Sequence, residues 1–305
     1  MLNFFRKLFG SNAQDKGPAQ RDPDATVPLS LAMAPPPPDA KKPAEPEAPR
    51  RMRLGIAQDT GRVRSHNEDV LLVFTGELSG LESMPNFGVF VVADGMGGHS
   101  LGERASGLAA RTVARVVLEQ LLPSLLADPH TEAERPMLKE VMENAMTTAN
   151  TAVVSRVPEG GTTLTCAVII GEQLILSHVG DSRAYILTPD QFEQITRDHS
   201  LVQRLKELGQ ITADEAAVHP QRSVLYRAVG QGEGLEVDVI SRRLAPGAQL
   251  LLCSDGLWGL VPDDMILQLV QSAPGPQAAS EALVAAANAA GGPDNITAVI
   301  VQLPG

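Results

Sequence analysis

Acidic residues stand at the ends of several apolar segments in this chain of 305 residues. Five segments begin or end at such residues: Glu68-Asp69, Asp94, Asp181, Asp255 and Asp294. A single aspartate there is ordinary turn chemistry, because its side chain bonds the local backbone. If several converge, the like charges repel, and each carboxylate must protonate or share a cation. Ligand sets made only of oxygen select hard cations, so the pattern predicts a Mg²⁺ or Mn²⁺ site.

Apolar periodicity predicts the elements that must position these residues. Apolar runs bounded by turn residues predict strands at 70–74, 87–93, 164–170, 173–179, 183–187, 192–196, 249–253 and 296–303. Short turns such as Gly171-Glu172 force antiparallel pairing. Helical spacing covers 105–117, 141–152, 201–208, 263–271 and 276–290. Long helices between hairpins predict an α+β fold in which helices cover the sheet faces.

Composition excludes several classes of protein. The formal net charge is −11, which argues against a nucleic-acid binder because such proteins need a basic face. No run of 18 apolar residues is present, so no transmembrane span is predicted. Two cysteines, Cys166 and Cys253, are too few for a disulfide scaffold and fit a reducing compartment. We therefore expect a cytoplasmic protein without a secretory signal.

The first 53 residues differ in composition from the rest of the chain. They contain ten of the 23 prolines and carry a net charge of +3, whereas the remainder carries −14. This composition predicts a disordered, proline-rich segment, 1–53, followed by one domain over 54–305. The first ten residues include three phenylalanines and two basic residues. They are a candidate amphipathic anchor, the only membrane contact we expect, although a fraying terminus explains them equally simply.

Seven short motifs stand in the order found in type 2C protein phosphatases, the metal-dependent PPM family, in its bacterial form. They are RSHNED at 64–69, DGMGGHSLGE at 94–103, GTT at 161–163, VGDSR at 179–183, DHS at 198–200, CSDGLW at 253–258 and GPDNIT at 292–297. The resemblance covers the chain from about Leu54 to its end. It implies a four-layer α-β-β-α sandwich, in which two antiparallel sheets are flanked by helices.

The resemblance also implies a binuclear site for Mn²⁺ or Mg²⁺, with a third, weaker ion in many bacterial members. Asp94 would bridge the two ions, and the other ligands would be the Gly95 carbonyl, Asp255, Asp294 and, through water, Glu68. Asp181 would join Asp255 at the third ion. Three further residues would support the ligands from outside: Asp69, Asp198 and Asn295. For Asp198 and Asn295 a local turn or cap is an equally good interpretation.

Arg64 matches the arginine that clamps phosphate in this family. Its planar fork suits two phosphate oxygens, although an ion pair with Glu68 or Asp69 is the simpler alternative. Many eukaryotic members have a histidine, assigned as the general acid, where this chain has Met96. A thioether cannot donate a proton, so metal-bound water becomes the expected acid, and His99 is a weaker candidate.

The function implied is hydrolysis of phosphoserine and phosphothreonine in proteins by in-line attack of a water activated by two metal ions. Arg64, Asp94 and Asp255 would be the catalytic residues. The expected partners are phosphorylated proteins, with a Ser/Thr kinase or its substrates among them, and the expected state is a monomer. The segment 201–234 would form a flap beside the site, and Trp258 would support the core or that flap.

Alternatives of other classes remain open. A non-catalytic regulator with the same fold would normally have lost the metal-binding aspartates, which are all present here. A phosphatase dedicated to a single regulatory partner would share the chemistry and differ only in substrate. A two-metal nuclease is disfavoured by the acidic domain. A cysteine phosphatase would need Cys-x5-Arg, which neither cysteine provides.

Overall fold

Two antiparallel sheets of five strands form the centre of the computed structural model, which describes residues 51–78, 84–97, 100–128, 136–189 and 191–305. The strands are β1 (Arg53–Asp59), β2 (Val70–Gly76), β3 (Phe87–Ala93), β4 (Gly95–Met96), β5 (Gly161–Thr162), β6 (Leu164–Ile170), β7 (Gln173–Val179), β8 (Arg183–Leu187), β9 (Phe192–Gln194), β10 (Asp238–Arg243), β11 (Gln249–Cys253) and β12 (Ile296–Gln302). The first sheet has the order β1-β12-β11-β8-β9, the second has the order β10-β7-β6-β3-β2, and β4 pairs only with β5.

The described residues form seven helices, and four of them cover the outer faces of the sheets. The seven are α1 (Ser100–Leu125), α2 (Leu138–Arg156), α3 (Leu201–Glu207), α4 (Ala213–Ala217), α5 (Asp255–Trp258), α6 (Asp263–Ser272) and α7 (Pro276–Ala289). Helices α1 and α2 pack on the second sheet, and α7 packs on β1 and β12 of the first, with α6 beside it. This is the predicted four-layer α-β-β-α sandwich.

Strand β3 shows why the sequence folds into these layers. Its side chains alternate between two apolar clusters: Val89 and Val91 face α1 and α2, whereas Phe90 and Val92 face the first sheet. All seven residues of β3 are buried. A strand covered on both faces must be apolar throughout. Its sequence is therefore a continuous apolar run and not an alternation of apolar and polar residues.

Five of the predicted strands, β3, β6, β7, β8 and β11, have the bounds that the sequence indicated. The sequence did not reveal β1, β4, β5, β10 or the short helices α4 and α5. The strands β1 and β10 lie at sheet edges and carry polar, partly exposed residues, so their apolar pattern is weak. Strand β1 begins at Arg53, one residue before the predicted domain start.

The proline-rich segment predicted over 1–53 and the candidate anchor at 1–10 lie outside the described residues, apart from 51–53. Within the described ranges, the structure contains no helix with the length and apolar character needed to cross a membrane.

Candidate metal centre

The acidic residues predicted from the sequence meet because of strand pairing. In the second sheet, Val70 of β2 lies opposite Ala93 of β3, so Asp69 and Asp94 extend from the same end. In the first sheet, Cys253 of β11 pairs with Ala298 of β12, which brings 255 and 294 to one end as well. Asp181 lies in the connection between β7 and β8, which belong to different sheets. Both sheets therefore contribute carboxylates to one rim of the sandwich.

The carboxylates lie close enough for their charges to raise one another's pKa values. Burial raises the pKa of Asp94 well above its usual range, and the charges of Asp69, Asp255, Asp181 and Asp294 raise it further. Burial, together with the charge of Asp294, raises the pKa of Asp255 to about 6. Four carboxylates thus act on Asp94, and the cluster disfavours its own full ionisation.

The donor set fits a hard divalent cation. Burial and the neighbouring carboxylates raise the pKa of both Asp94 and Asp255, so their charged forms are disfavoured unless a cation offsets the repulsion. A second observation is that Oδ1 of Asp69 is buried and has no hydrogen-bond partner among the residues that the structure describes. Among the described residues, no three His, Cys, Asp or Glu side chains already stand in ligating positions. These buried carboxylates would therefore supply the all-oxygen ligand set that a hard divalent cation prefers.

Asp69 is held by hydroxyl groups from the other sheet. Its Oδ2 accepts hydrogen bonds from Ser254 Oγ and Thr297 Oγ1, both at 2.7 Å. The carboxyl is 5% exposed, and burial raises its pKa to about 7 despite these two bonds. Asp69 therefore links the two sheets beneath the cluster. Ser254 and Thr297 were not among the site residues predicted from the sequence, although both lie inside the motifs quoted above.

Asn295 holds the loop that carries Arg64 and Glu68. Its Oδ1 accepts from the Glu68 backbone N–H at 2.8 Å, and its Nδ2 donates to the carbonyls of Thr60 at 2.9 Å and His66 at 3.0 Å. The side chain is buried. Asn295 thus makes long-range bonds rather than a local cap.

Gly95 lies where no side chain fits. A Cβ atom there would stand 2.4 Å from the Gly102 carbonyl oxygen and 2.8 Å from that of Glu68. Its N–H donates to the Glu68 carbonyl at 3.2 Å, and the preceding residue, Asp94, accepts bonds at its carbonyl from Thr162 Oγ1 and Thr163 N–H. The backbone beside Asp94 is therefore fixed by β5 and by the loop before β2.

Arg64 forms an ion pair, but its partner is Asp294 rather than Glu68 or Asp69. The Nη2–Oδ2 distance is 2.7 Å, and the arginine side chain is 50% exposed. Glu68 instead contacts His66, with 2.9 Å between Oε1 and Nε2. Half-exposed and at the rim, Arg64 can reach a ligand that sits against the carboxylates.

The remaining sequence candidates occupy distinct places. Asp198 accepts from Arg183 through Nε at 3.0 Å and Nη2 at 2.7 Å, so it forms a buried, bidentate ion pair rather than a turn. Met96 pairs with Gly161 across β4 and β5. His99 lies outside the described residues.

A cavity of about 350 Å³ adjoins the carboxylates. Its walls come from the cluster, from α5 and from the predicted flap with its helices α3 and α4. The lining includes Asp181, Asp255, Asp294, Trp258, Val202, Ala217 and Arg222. The predicted flap therefore lies beside the carboxylate cluster.

Comparisons with known proteins agree with this geometry. Residues 57–296 match the family model of protein phosphatase 2C. The serine/threonine phosphatase stp of Listeria monocytogenes is 34% identical over 251 residues, which cover 82% of this chain and 96% of that protein. The serine/threonine protein phosphatase PstP of Mycobacterium tuberculosis is 36% identical over 260 residues, covering 83% of this chain and 45% of that protein.

Solved structures show the same relationship. The crystal structure of M. tuberculosis PstP/Ppp superimposes with a TM-score of 0.68 at 33% identity, covering 83% of this chain and 99% of that one. The PstP catalytic domain in complex with two manganese ions gives a TM-score of 0.67 at 32% identity, with the same coverages. The chain therefore belongs to the protein phosphatase 2C family of metal-dependent serine/threonine phosphatases.

Proposed function

We propose that the carboxylate rim is the catalytic site at which this phosphatase hydrolyses phosphoserine and phosphothreonine in proteins. The observation that carries the proposal is the convergence of four other carboxylates on Asp94. Asp94, Asp255 and Asp294, with the Gly95 carbonyl and Glu68, would hold two Mn²⁺ or Mg²⁺ ions. Asp181 and Asp255 would contribute to a third.

The cations, when bound, supply the positive charge that a phosphomonoester dianion needs and acidify the attacking water. The chain's own residues position the substrate. Arg64 would orient two phosphate oxygens with its fork, sharing its charge between the substrate and Asp294. Asn295 supports this by fixing the loop that carries Arg64 and Glu68. Asp198, which is paired with Arg183, and Asp69, whose Oδ2 accepts from Ser254 and Thr297, would hold neighbouring residues in place.

The substrate and setting are part of the proposal. Relatives named as serine/threonine phosphatases support phosphorylated proteins as partners, and such an enzyme would oppose a Ser/Thr kinase. Free, buried thiols at Cys166 and Cys253 support a reducing, cytoplasmic compartment. We propose that the enzyme acts as a monomer, because one chain supplies the whole carboxylate cluster.

The test is hydrolysis of p-nitrophenyl phosphate and of a phosphothreonine peptide with Mn²⁺, with Mg²⁺ and with EDTA. Asp94→Asn and Asp255→Asn should each abolish turnover while the protein remains folded. Asp264→Asn, a change at an exposed residue of α6, is the matched control and should leave turnover unchanged.

Two results would contradict parts of the proposal. Folded, metal-loaded wild type that turns over neither substrate would favour a non-catalytic regulator of the same fold. Hydrolysis of p-nitrophenyl phosphate without any hydrolysis of the peptide would favour an enzyme dedicated to a single phosphorylated partner.

A further inference from the structure

A chain of contacts outside the proposed ligands connects Asp198 to Asp181 through Arg183 and Trp258. The Arg183 guanidinium is fixed in its plane by Asp198, which accepts from Nε at 3.0 Å and from Nη2 at 2.7 Å. Tyr185 accepts from Nη1 at 3.3 Å. The arginine side chain is 17% exposed and that of Asp198 is 5% exposed. An ion pair so enclosed and so fully hydrogen-bonded holds one geometry.

The flat face of this guanidinium packs on Trp258. Its Cζ lies 3.6 Å from the centre of the indole ring, well inside the range of a cation–π contact. Only arginine offers both a planar face for the ring and a fork for Asp198, so lysine cannot replace it in kind. The orientation of the indole is therefore set by the Arg183–Asp198 pair.

The indole in turn fixes the backbone of Asp181. Trp258 Nε1 donates to the Asp181 carbonyl at 3.0 Å. The preceding residue, Gly180, has φ +113° and is bonded to His199 through its carbonyl, at 2.8 Å, and through its N–H, at 3.0 Å. Trp258 also ends the four-residue helix α5 that begins with Asp255. One ring thus connects the two chain segments that carry Asp181 and Asp255.

We infer that Arg183 and Trp258 are positioning residues that set the spacing between Asp181 and Asp255 for a divalent cation. The inference rests on the proposed function, because it takes these two aspartates as ligands of the third ion. Trp258 and Arg183 touch neither that ion nor the substrate in this role. Their direct bond, made by Trp258, is to Asp181, which is a proposed ligand of the weakest ion alone, so they govern the affinity of that ion and leave the two tighter ones unchanged.

In the experiment the full-length protein is titrated with Mn²⁺. Calorimetry measures the heat of binding, and electron paramagnetic resonance measures the concentration of free Mn²⁺. The class of Mn²⁺ binding site that is lost in Asp181→Asn is the site of the third ion. Trp258→Phe keeps an aromatic face but removes the N–H donor. It should weaken the affinity of that class for Mn²⁺ about fivefold, which corresponds to the loss of one hydrogen bond. Arg183→Lys should weaken it at least as much. The tighter classes should keep their affinities.

A spectroscopic readout comes with the sequence, because Trp258 is the only tryptophan of the chain. Its fluorescence in the wild type should change over the same Mn²⁺ concentrations that fill the weak class, and the change should be absent in Asp181→Asn. Tyr226→Phe is the matched control, since it also removes one aromatic donor, from an exposed ring of the flap region. It should titrate like the wild type.

Several results would overturn the inference. One is that Trp258→Phe binds Mn²⁺ at the third site with an affinity within twofold of the wild type. Another is that the substitution weakens every class of Mn²⁺ site equally, and the last is that no class of site depends on Asp181. The proposed function fails separately: it is refuted if Asp94→Asn retains turnover, whatever Trp258→Phe binds. If Asp94→Asn is inactive and Trp258→Phe binds ions normally, only the positioning role is lost.

Discussion

Replacing Asn295 by alanine should loosen the site without removing any proposed ligand. The Asn295 side chain is 5% exposed and makes three hydrogen bonds to main-chain groups of the loop before β2: to Glu68, His66 and Thr60. Alanine fills the space only in part and offers no polar atom. One buried N–H and two carbonyls would then lose their partner.

The magnitude follows from these three bonds. Each contributes about 1 kcal/mol to the net free energy of unfolding, and unpaired buried groups add to the loss. We therefore expect Asn295→Ala to lower that free energy by about 3 kcal/mol, a fall in Tm of about 6–12 °C for a domain of this size. Turnover should fall as well, because the loop carries Arg64 and Glu68.

The assay is urea unfolding followed by circular dichroism, with kcat and KM measured on p-nitrophenyl phosphate. Asn288→Ala is the matched control, because within the described part of the chain the Asn288 Oδ1 has no hydrogen-bond partner. It should change the free energy of unfolding by less than about 0.5 kcal/mol. A loss below about 1 kcal/mol in Asn295→Ala would refute the view that Asn295 holds this loop.

Three further predictions concern cations, backbone space and the N-terminal segment. A divalent cation at a hundred times its Kd should stabilise the fold by about 2.7 kcal/mol. This gain, measured as Tm against EDTA, should shrink as the pH falls through 6, because burial raises the pKa of Asp255 to about 6 and protons then compete with the ion. Gly95→Ala should lower Tm and turnover, because its Cβ would meet the Gly102 carbonyl at 2.4 Å, whereas Gly234→Ala enters open space and should do neither. Deleting residues 1–50 should leave kcat/KM on p-nitrophenyl phosphate unchanged, and a large drop would place that segment in the catalytic domain.

The central strands could be predicted from the sequence because burial on both faces leaves no alternative to an apolar run. Strand β3 is the clearest case. Edge strands are specified differently. At β1 the outer edge is satisfied by Gln277, whose side-chain amide bonds the N–H and carbonyl of Ile56 at 3.0 and 2.9 Å. Such a partner, 221 residues away, leaves no local pattern.

The site could be predicted only in part, for a related reason. The positions of the aspartates relative to apolar runs indicated which residues would converge. The partner of each side chain depends on pairing between distant segments. The alternative weighed for Arg64 was an ion pair with Glu68 or Asp69, whereas the structure pairs it with Asp294. The bond from Trp258 to the Asp181 carbonyl joins residues 77 positions apart and leaves no local signal either.

The hydrogen-bond partners of each carboxylate distinguish the proposed metal ligands from the residues that hold those ligands in place. Asp198 is paired with the Arg183 fork, and Oδ2 of Asp69 accepts from two hydroxyls, so both side chains are held in place by the protein without a metal. The pKa values of Asp94 and Asp255 are raised by burial and by the charges of neighbouring carboxylates. Because a divalent cation would offset that repulsion, it should bind at these two carboxylates, and substitution of Asp69 or Asp198 should act through geometry alone.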